Sequence, residues 1–338
     1  MLFLLLAACA PKAPPAPLVR SLPDATAELQ GEIVIEGPLP SRVRPPDPAV
    51  SLRLFYGGEE KGSLEPCGCP NRPRGGVARA AALIAAARQA DPALPTFVVN
   101  GGYWLEDAMS LDGQPRADVP LLNRWMVRGM ASLGPDALNV AYNDMAGLTS
   151  LGGPPPEGLP LVSANVSGAG IEPVRWVQAG ALKVAITGIT APGVTFLPTP
   201  GFVVREPVAA AGPLLEALDA EADLVVLLAY GDPESASKLA RKGHVDVVID
   251  TNLHREAASP FRVGDAVWVY SHFETMRLGE LRLEVAEGRV VRALDRKIDL
   301  DPTVPEEPAL SAIAATARAE INLAQKTLFG SGFSGSPR

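Results

Sequence analysis

The sequence predicts an α/β domain in which buried strands alternate with amphipathic helices, and two observations lead to this fold class. First, the 338 residues are 47% hydrophobic and 20% charged, which is typical of a globular chain that buries one large core or two smaller ones. Second, short apolar runs of strand length alternate along the chain with segments of helical periodicity, a succession typical of α/β proteins.

The elements follow in order from residue 31. Residues 31–36 form a candidate lone strand for a sheet edge, and a proline-rich link at residues 38–48 separates it from the main body. Apolar runs predict strands at residues 51–56, 95–99, 137–140, 161–164, 182–189, 224–228 and 245–249. Apolar residues three and four positions apart predict helices at residues 77–89, 120–133, 208–220 and 234–242. Gly134 is the expected C-cap of the second of these helices.

The pattern changes after residue 266. Residues 266–270, 279–285 and 289–298 are short apolar segments without helices between them, so we expect a meander that closes the sheet. A last helix at residues 308–328 has one apolar stripe and should pack on the outside of the domain. The stripe consists of Leu310, Ile313, Ala317, Ile321, Ala324 and Leu328.

The N-terminus carries the pattern of a membrane anchor. Leu6-Ala7-Ala8-Cys9 resembles the processing box of bacterial lipoproteins, which implies cleavage before Cys9 and acylation of its sulfur. Residues 10–17 are almost entirely Pro and Ala and predict a semi-rigid spacer. Because Ala10 is not acidic, we expect the lipidated protein to be anchored in the outer membrane, with its domain facing the periplasm. The alternative is the apolar N-terminus of a cytoplasmic protein.

These features divide the chain into five parts. We expect a lipoprotein signal peptide at residues 1–8 and a lipidated Cys9 with its proline-rich tether and possible edge strand at 9–50. The main domain follows at 51–300, then a C-terminal helix at 301–328 and a flexible tail at 329–338. Since residues 1–8 lack the basic residues that open a signal peptide, we also expect the natural start codon to lie upstream.

Charge and motifs exclude several classes of function. The formal net charge of −8 argues against a nucleic-acid partner, because phosphate backbones are bound by basic surfaces. No G-x-G-x-x-G or Walker motif follows a predicted strand, and the strand-to-helix segments contain no Gly-x-Ser-x-Gly. The anchor and the spacer instead predict two partners: the membrane, through the lipid, and another protein of the envelope.

One motif is more specific. Leu64-Glu65-Pro66-Cys67-Gly68-Cys69 resembles the L-E-P-C-G-C segment of a bacterial branch of the calcineurin-like metallophosphoesterase and 5′-nucleotidase family. Later landmarks follow in the family's order over residues 51–299, among them Gly134-Pro-Asp-Ala-Leu-Asn-Val140. The resemblance implies a sandwich of two facing mixed β-sheets flanked by helices. Only 40 residues follow Ile298, so we expect no separate C-terminal domain to carry nucleotide specificity.

The ligands that this family uses for two metals are almost all replaced here. Where the resemblance implies Asp-x-His after the first strand, this chain has Glu59 and Lys61, and where it implies a bridging Asp it has Tyr103. The Asn-His-Glu/Asp turn is replaced by Tyr142-Asn143-Asp144, and Ser-His by Ala229-Tyr230. The Gly-His-x-His site is replaced by Thr251-Asn252-Leu253-His254, which keeps one histidine.

Cys67 and Cys69 allow three interpretations, two of them chemical and one purely structural. Cys67 and Cys69 could share a soft metal, with His254 as a third ligand, or form a redox-labile bond with each other or with other thiols. The structural alternative is a loop in which the sulfurs pack as small apolar groups.

We therefore expect a non-catalytic binding or assembly protein without a cofactor. The alternative is a metal-dependent phosphoesterase with an altered site, in which one divalent ion (Mn, Zn or Fe) is held by Glu59, Asp144 and His254, with Cys67 or Cys69. A binding surface is expected on the old cleft face, because aromatic residues are enriched where interfaces gain their affinity. The candidates are Tyr103, Trp104, Tyr142, Tyr230, His272 and Phe273.

Overall fold

Two mixed β-sheets face each other across an apolar core and are flanked by helices, as predicted. The computed structural model describes residues 33–36, 50–67, 73–111, 113–153, 158–193, 199–251 and 259–330. Cys9, Cys69, Asn252, His254 and the tail at 331–338 lie outside these ranges.

The first sheet has seven strands in the order β1-β15-β14-β2-β3-β4-β5. Its strands are β1 (Ile33–Glu36), β2 (Val50–Gly57), β3 (Thr96–Asn100), β4 (Ala137–Asn139), β5 (Leu161–Val162), β14 (Arg277–Ala286) and β15 (Arg289–Asp299). The strands from β2 to β5 are parallel, whereas β14, β15 and β1 pair in antiparallel fashion. The expected lone edge strand is thus β1, which pairs with β15.

The second sheet has six strands in the order β12-β13-β11-β10-β8-β7. These are β7 (Arg175–Ala179), β8 (Leu182–Thr190), β10 (Leu224–Tyr230), β11 (Val247–Thr251), β12 (Phe261–Val263) and β13 (Ala266–Tyr270). The inner four are parallel and the two outer strands antiparallel. A separate two-stranded ribbon is formed by β6 (Val166–Ser167) and β9 (Val203–Val204).

The core between the sheets is filled from both sides. Leu52 and Leu54 of β2 point into it, as do Val184 of β8 and Val226 of β10, and all four are fully buried. Because side chains alternate along a strand, each sheet also has an outer apolar face that needs a cover. Helices supply it: α1 (Val77–Ala90), α2 (Val119–Leu133), α3 (Tyr142–Ser150), α4 (Pro207–Glu221), α5 (Pro233–Ala240) and α6 (Pro308–Phe329).

The C-terminal helix α6 lies on the outside of the domain. Leu310 and Ala317 are buried, and half-buried Ile313 and Ile321 continue the same stripe against the cluster that includes Trp125 of α2. No helix in the described part of the chain combines the length and the apolar character needed to cross a bilayer.

One expectation about the elements was wrong, and one helix was not predicted. The last three strands do not form one meander: β13 extends the second sheet, whereas β14 and β15 form a hairpin of the first. The chain crosses between the sheets in the segment that begins at Ser271 and includes a 3₁₀ turn, and a pattern of apolar runs does not reveal such a crossing. Helix α3 was missed because it is short and six of its nine residues are buried, so it shows no amphipathic stripe.

Candidate functional site

The loops that follow β2 and β3 lie side by side at the carboxyl ends of the parallel strands. The backbone N–H groups of Glu59, Lys61 and Gly62 donate to the carbonyls of Gly102, Tyr103 and Trp104 at 2.9, 3.1 and 2.9 Å. We call these segments the β2 loop (residues 58–66) and the β3 loop (residues 101–111). Glu59, Lys61 and Tyr103 have φ values of 60°, 51° and 61°, a left-handed conformation that non-glycine residues adopt at some cost and that is over-represented at functional sites.

Asp144 holds the β3 loop to the start of α3. Its Oδ2 accepts hydrogen bonds from the backbone N–H groups of Tyr103 (2.7 Å) and Ala141 (2.9 Å), and its Oδ1 accepts one from Leu105 (2.9 Å). The side chain is fully buried, and burial raises its pKa to about 7 against the opposing effect of these three donors. Asp144 is the acidic residue that matches the family pattern in this turn, and its carboxylate accepts hydrogen bonds from three backbone N–H groups.

Three tyrosines pack together where the strand ends of the two sheets meet. The ring centroid of Tyr230 lies 5.9 Å from that of Tyr103 and 5.5 Å from that of Tyr142, in edge-to-face and tilted arrangements that aromatic rings favour. The Lys61 Nζ lies 5.1 Å from the ring centroid of Tyr103. Burial raises the pKa of Tyr103 and of Tyr230 well above that of a free tyrosine, so both phenols stay protonated at any physiological pH.

Each outer ring of this tyrosine cluster (Tyr103, Tyr142 and Tyr230) is fixed by further contacts. The Tyr103 hydroxyl donates to Asp107 Oδ1 at 2.9 Å, and Asn143 Nδ2 donates to Asp107 Oδ2 at 2.6 Å. The backbone of Gly193 crosses the face of the Tyr142 ring so closely that an added Cβ would lie 2.5 Å from the ring Cγ. The cluster is thus built into the fold.

Thr251 fills the gap between the two sheets. An added Cβ on Gly101 would lie 1.8 Å from the Thr251 Oγ1, and one on Gly58 would lie 2.7 Å from its Cγ2. Ser271 Oγ lies 3.1 Å from the Thr251 Oγ1 and hydrogen-bonds to it, and Thr251 is fully buried. Since the family resemblance implies glycine at this position, a side chain here occupies space that the family pattern leaves open.

Solved structures identify the fold. No protein-family model and no curated protein matches the chain. Among solved structures it is similar to a 5′-nucleotidase precursor from Thermus thermophilus at a TM-score of 0.66 and 19% identity, over 81% of this chain and 59% of that protein. It is also similar to the calcineurin-like phosphoesterase YfkN from Bacillus subtilis, at a TM-score of 0.61 and 16% identity, over 82% of this chain and 99% of the other.

The chain has the metallophosphoesterase fold. A third structure with this likeness is the sulfate thiohydrolase SoxB of Thermus thermophilus, at a TM-score of 0.65 and 17% identity over 81% of this chain and 61% of that protein. The chain thus spans about three fifths of the length of the Thermus proteins. Structural similarity at identities this low establishes the fold of the domain alone. The chemistry of the domain has to be judged from its own residues.

The described residues do not supply the ligands that a two-metal centre of the metallophosphoesterase kind needs. Such a centre needs several oxygen and nitrogen ligands that converge on one point. Tyr103 and Tyr230 stand where the family resemblance implies ligands, their rings pack together, and Asp144 Oδ2 already accepts two hydrogen bonds. Within the described ranges no three or more His, Cys, Asp or Glu side chains are grouped so that they could hold an ion.

The remaining candidate ligands are only partly described. The Glu59 side chain is buried beside Tyr230, whose pKa its charge helps to raise. The Cys67 Sγ is buried and accepts a hydrogen bond from the backbone N–H of Arg74 at 3.2 Å. Asn252, His254 and Cys69 lie outside the described residues, so the metal and disulfide alternatives for the cysteines stay predictions.

The expected aromatic binding face needs one correction. Trp104 is fully buried among the side chains of α2 and α3, so its assignment to an exposed rim was wrong. Tyr103, Tyr142 and His272 are half-buried, and Tyr230 is 5% exposed beneath its two neighbours. The side chain of Phe273 lies outside the described residues.

Sequence reasoning missed the polar residues that hold the loops in place. Asn100 ends β3 and donates to Glu60 Oε1 at 2.8 Å, while Asn139 ends β4 and donates to the carbonyls of Gly101 and Ile189. Burial raises the pKa of Glu60, which is 4% exposed. The sequence does show an amide residue at the end of each of these two apolar runs. A buried amide at a strand end must find partners in neighbouring loops, so both residues could have been predicted to fix loops.

Proposed function

We propose that this protein is a non-catalytic binding or assembly module of the bacterial cell envelope, built on a metallophosphoesterase fold. One observation carries the proposal: the packed rings of Tyr103, Tyr142 and Tyr230 occupy the point at which the strand ends converge. A hydrolase of this fold needs that space for two ions and a water molecule. Aromatic rings with hydroxyl groups supply contact surface and hydrogen bonds there instead.

Metal content and turnover test the loss of catalysis. Purified protein incubated with manganese, dialysed and measured by mass spectrometry should contain well under one equivalent of metal, and it should not hydrolyse p-nitrophenyl phosphate or bis-p-nitrophenyl phosphate. Near-stoichiometric metal together with turnover that His254→Ala abolishes would contradict the proposal and establish the phosphoesterase alternative. His244→Ala is the matched control, because His244 pairs with Asp219 at 3.1 Å beside α4, away from the strand ends.

The site of action follows from the N-terminal pattern. We propose that Cys9 is lipidated and that residues 10–32 tether the domain to the outer membrane on its periplasmic side. The support is the sequence Leu6-Ala7-Ala8-Cys9, which resembles a lipoprotein processing box and is followed by a Pro/Ala-rich segment. Cys9→Ser should release the protein from membranes after a carbonate wash, whereas Cys67→Ser should not, and retention of the Cys9 variant would contradict the anchor.

The contact surface is proposed to be the face formed by Tyr103, Tyr142, Tyr230 and His272, with an envelope protein as partner. Pull-down from detergent-solubilised envelopes should recover fewer partners with the double variant Tyr142→Ala/Tyr230→Ala than with the unaltered protein. Trp176→Ala is the matched control, because Trp176 is an aromatic residue 36% exposed on the edge strand β7 of the second sheet. Equal recovery by a folded double variant would show that this face is not the functional surface.

A further inference from the structure

A cleft of about 620 Å³ lies beside the tyrosine cluster, between the β2 loop and helix α6. Its size falls within the range of roughly 300–1,000 Å³ that is usual for sites of small organic ligands. Leu64 and Pro66 form one wall, Ala314 and Ile321 of α6 form the other, and Trp125 of α2 closes one side. Tyr103 lines the cleft and also touches Tyr230, so the cleft borders the proposed partner surface without coinciding with it.

The walls of the cleft are held before any ligand arrives. The β2 loop is fixed by the hydrogen bonds of Lys61 and Gly62 to the β3 loop, and the Leu64 carbonyl accepts from the N–H of Val77 at 3.0 Å, the first residue of α1. Trp125 Nε1 donates to Glu320 Oε2 of α6 at 2.8 Å, which ties α6 to α2. A preformed cleft loses little conformational entropy when a ligand binds.

Opposite charges occur in pairs around an apolar interior. Arg318 of α6 pairs with Glu65 of the β2 loop. Arg116 pairs with Asp118 at 2.5 Å behind the cleft wall and lies 3.9 Å from Glu106. Arg318, Glu65, Arg116 and Glu106 line the cleft. A ligand that carries only negative or only positive charge would face a repelling partner in each pair, whereas a ligand with both charges could meet an opposite charge at each end.

We propose that this cleft binds a short zwitterionic peptide of two or three residues with apolar side chains and free termini. The apolar side chains would lie against Trp125, Leu64 and Ile321. The terminal carboxylate would meet an arginine and the terminal ammonium a glutamate, and such charge-assisted hydrogen bonds are the stronger ones. This site goes beyond the proposed partner surface, because it uses neither Tyr142 nor Tyr230.

Isothermal titration calorimetry on the full chain in detergent tests the site with leucyl-phenylalanine, phenylalanyl-leucine and leucyl-leucine as probes. We expect at least one probe to bind, and its N-acetylated, C-amidated form to bind about tenfold more weakly, since the blocked form has lost both charges. Binding by none of the three, or equal binding of free and blocked forms, would overturn the proposal.

Variants locate the site. Arg318→Glu should weaken binding of the free dipeptide by about tenfold, whereas Lys326→Glu makes the same charge change on the same helix outside the cleft and should leave it unchanged. Ala314→Phe should abolish binding by filling the cleft, and if that variant does not fold, the two charge variants decide. Equal effects of Arg318→Glu and Lys326→Glu would overturn the location. Tyr142→Ala/Tyr230→Ala should bind the dipeptide normally, so failure of the partner surface and failure of this site are distinguishable.

Discussion

The carboxylate of Asp144 accepts a hydrogen bond from the backbone N–H of Tyr103 at 2.7 Å, and this contact joins two turns in which the family resemblance implies metal ligands. Both residues are used here for structure. Asp144 caps α3 and fixes the β3 loop, and the fixed loop places the Tyr103 ring against Tyr230. The hydrogen bonds from three backbone N–H groups give the carboxylate of Asp144 a structural role that needs no metal.

Asp144→Asn should destabilise the fold. The amide nitrogen cannot accept a hydrogen bond, so at least one of the three backbone N–H groups would stay unpaired in a fully buried site, at a cost of about 1–3 kcal/mol in the free energy of unfolding. Urea unfolding followed by circular dichroism measures the change. Asp107→Asn is the control, because Asp107 is half-buried and its partners are two side chains. Equal losses in both variants would contradict the structural role of Asp144.

The stability of the protein should depend on pH through the same residue. Burial raises the pKa of Asp144 from 3.8 to about 7, so between these values the folded state binds more protons than the unfolded state. Linkage then requires this residue's contribution to stability to fall as pH rises, being fully present below pH 3.8 and lost above about pH 7. The loss of stability caused by Asp144→Asn should therefore be larger at pH 5 than at pH 8. A loss that grows with pH would mean that the pKa of Asp144 is lowered.

The sequence predicted most elements because their signals are local. Apolar runs located the strands, and the Gly134 cap was placed correctly at the end of α2, where φ is 66°. The assignment of strands to sheets could not be read in the same way. β13 and β14 are separated by a short turn, yet they belong to different sheets, and only packing against β11 and β2 decides between them.

The sequence indicated that Tyr103, Tyr142 and Tyr230 lie on one face of the domain, and in the structure their rings do pack together. Whether they form a binding site stays a prediction. The role of Asp144 could not be foreseen, because two of its three donors lie about forty residues earlier in the chain. The burial of Trp104 was missed because its neighbour Tyr103 is half-exposed, and adjacent residues in a loop can point in opposite directions.

Gly101→Ala should destabilise the fold through a single neighbour. The added methyl group would lie 1.8 Å from the Thr251 Oγ1 and 2.9 Å from its Cβ, and overpacking of this kind costs about 1–3 kcal/mol. In the double variant Gly101→Ala/Thr251→Gly both contacts disappear. The cost of Gly101→Ala should therefore be much smaller in a Thr251→Gly background than in the unaltered protein, as a double-mutant cycle of unfolding free energies measures. Additive effects would mean that Thr251 does not fill the gap next to Gly101.

Glu280→Ala should be the most destabilising of these substitutions. Glu280 is 2% exposed on β14, and its Oε1 lies 3.0 Å from the Nε of Arg53, which is 3% exposed on β2. Without Glu280 the Arg53 guanidinium would keep its charge in a buried site and lose its ion-pair partner there, and removal of one member of a buried pair typically costs about 3–5 kcal/mol. Arg282→Ala removes a different partner of the same carboxylate, one that is 45% exposed, and should cost less than about 1 kcal/mol. Thermal unfolding of the two variants in parallel checks the contrast, and similar losses from both would show that burial of the Arg53–Glu280 pair does not govern its contribution.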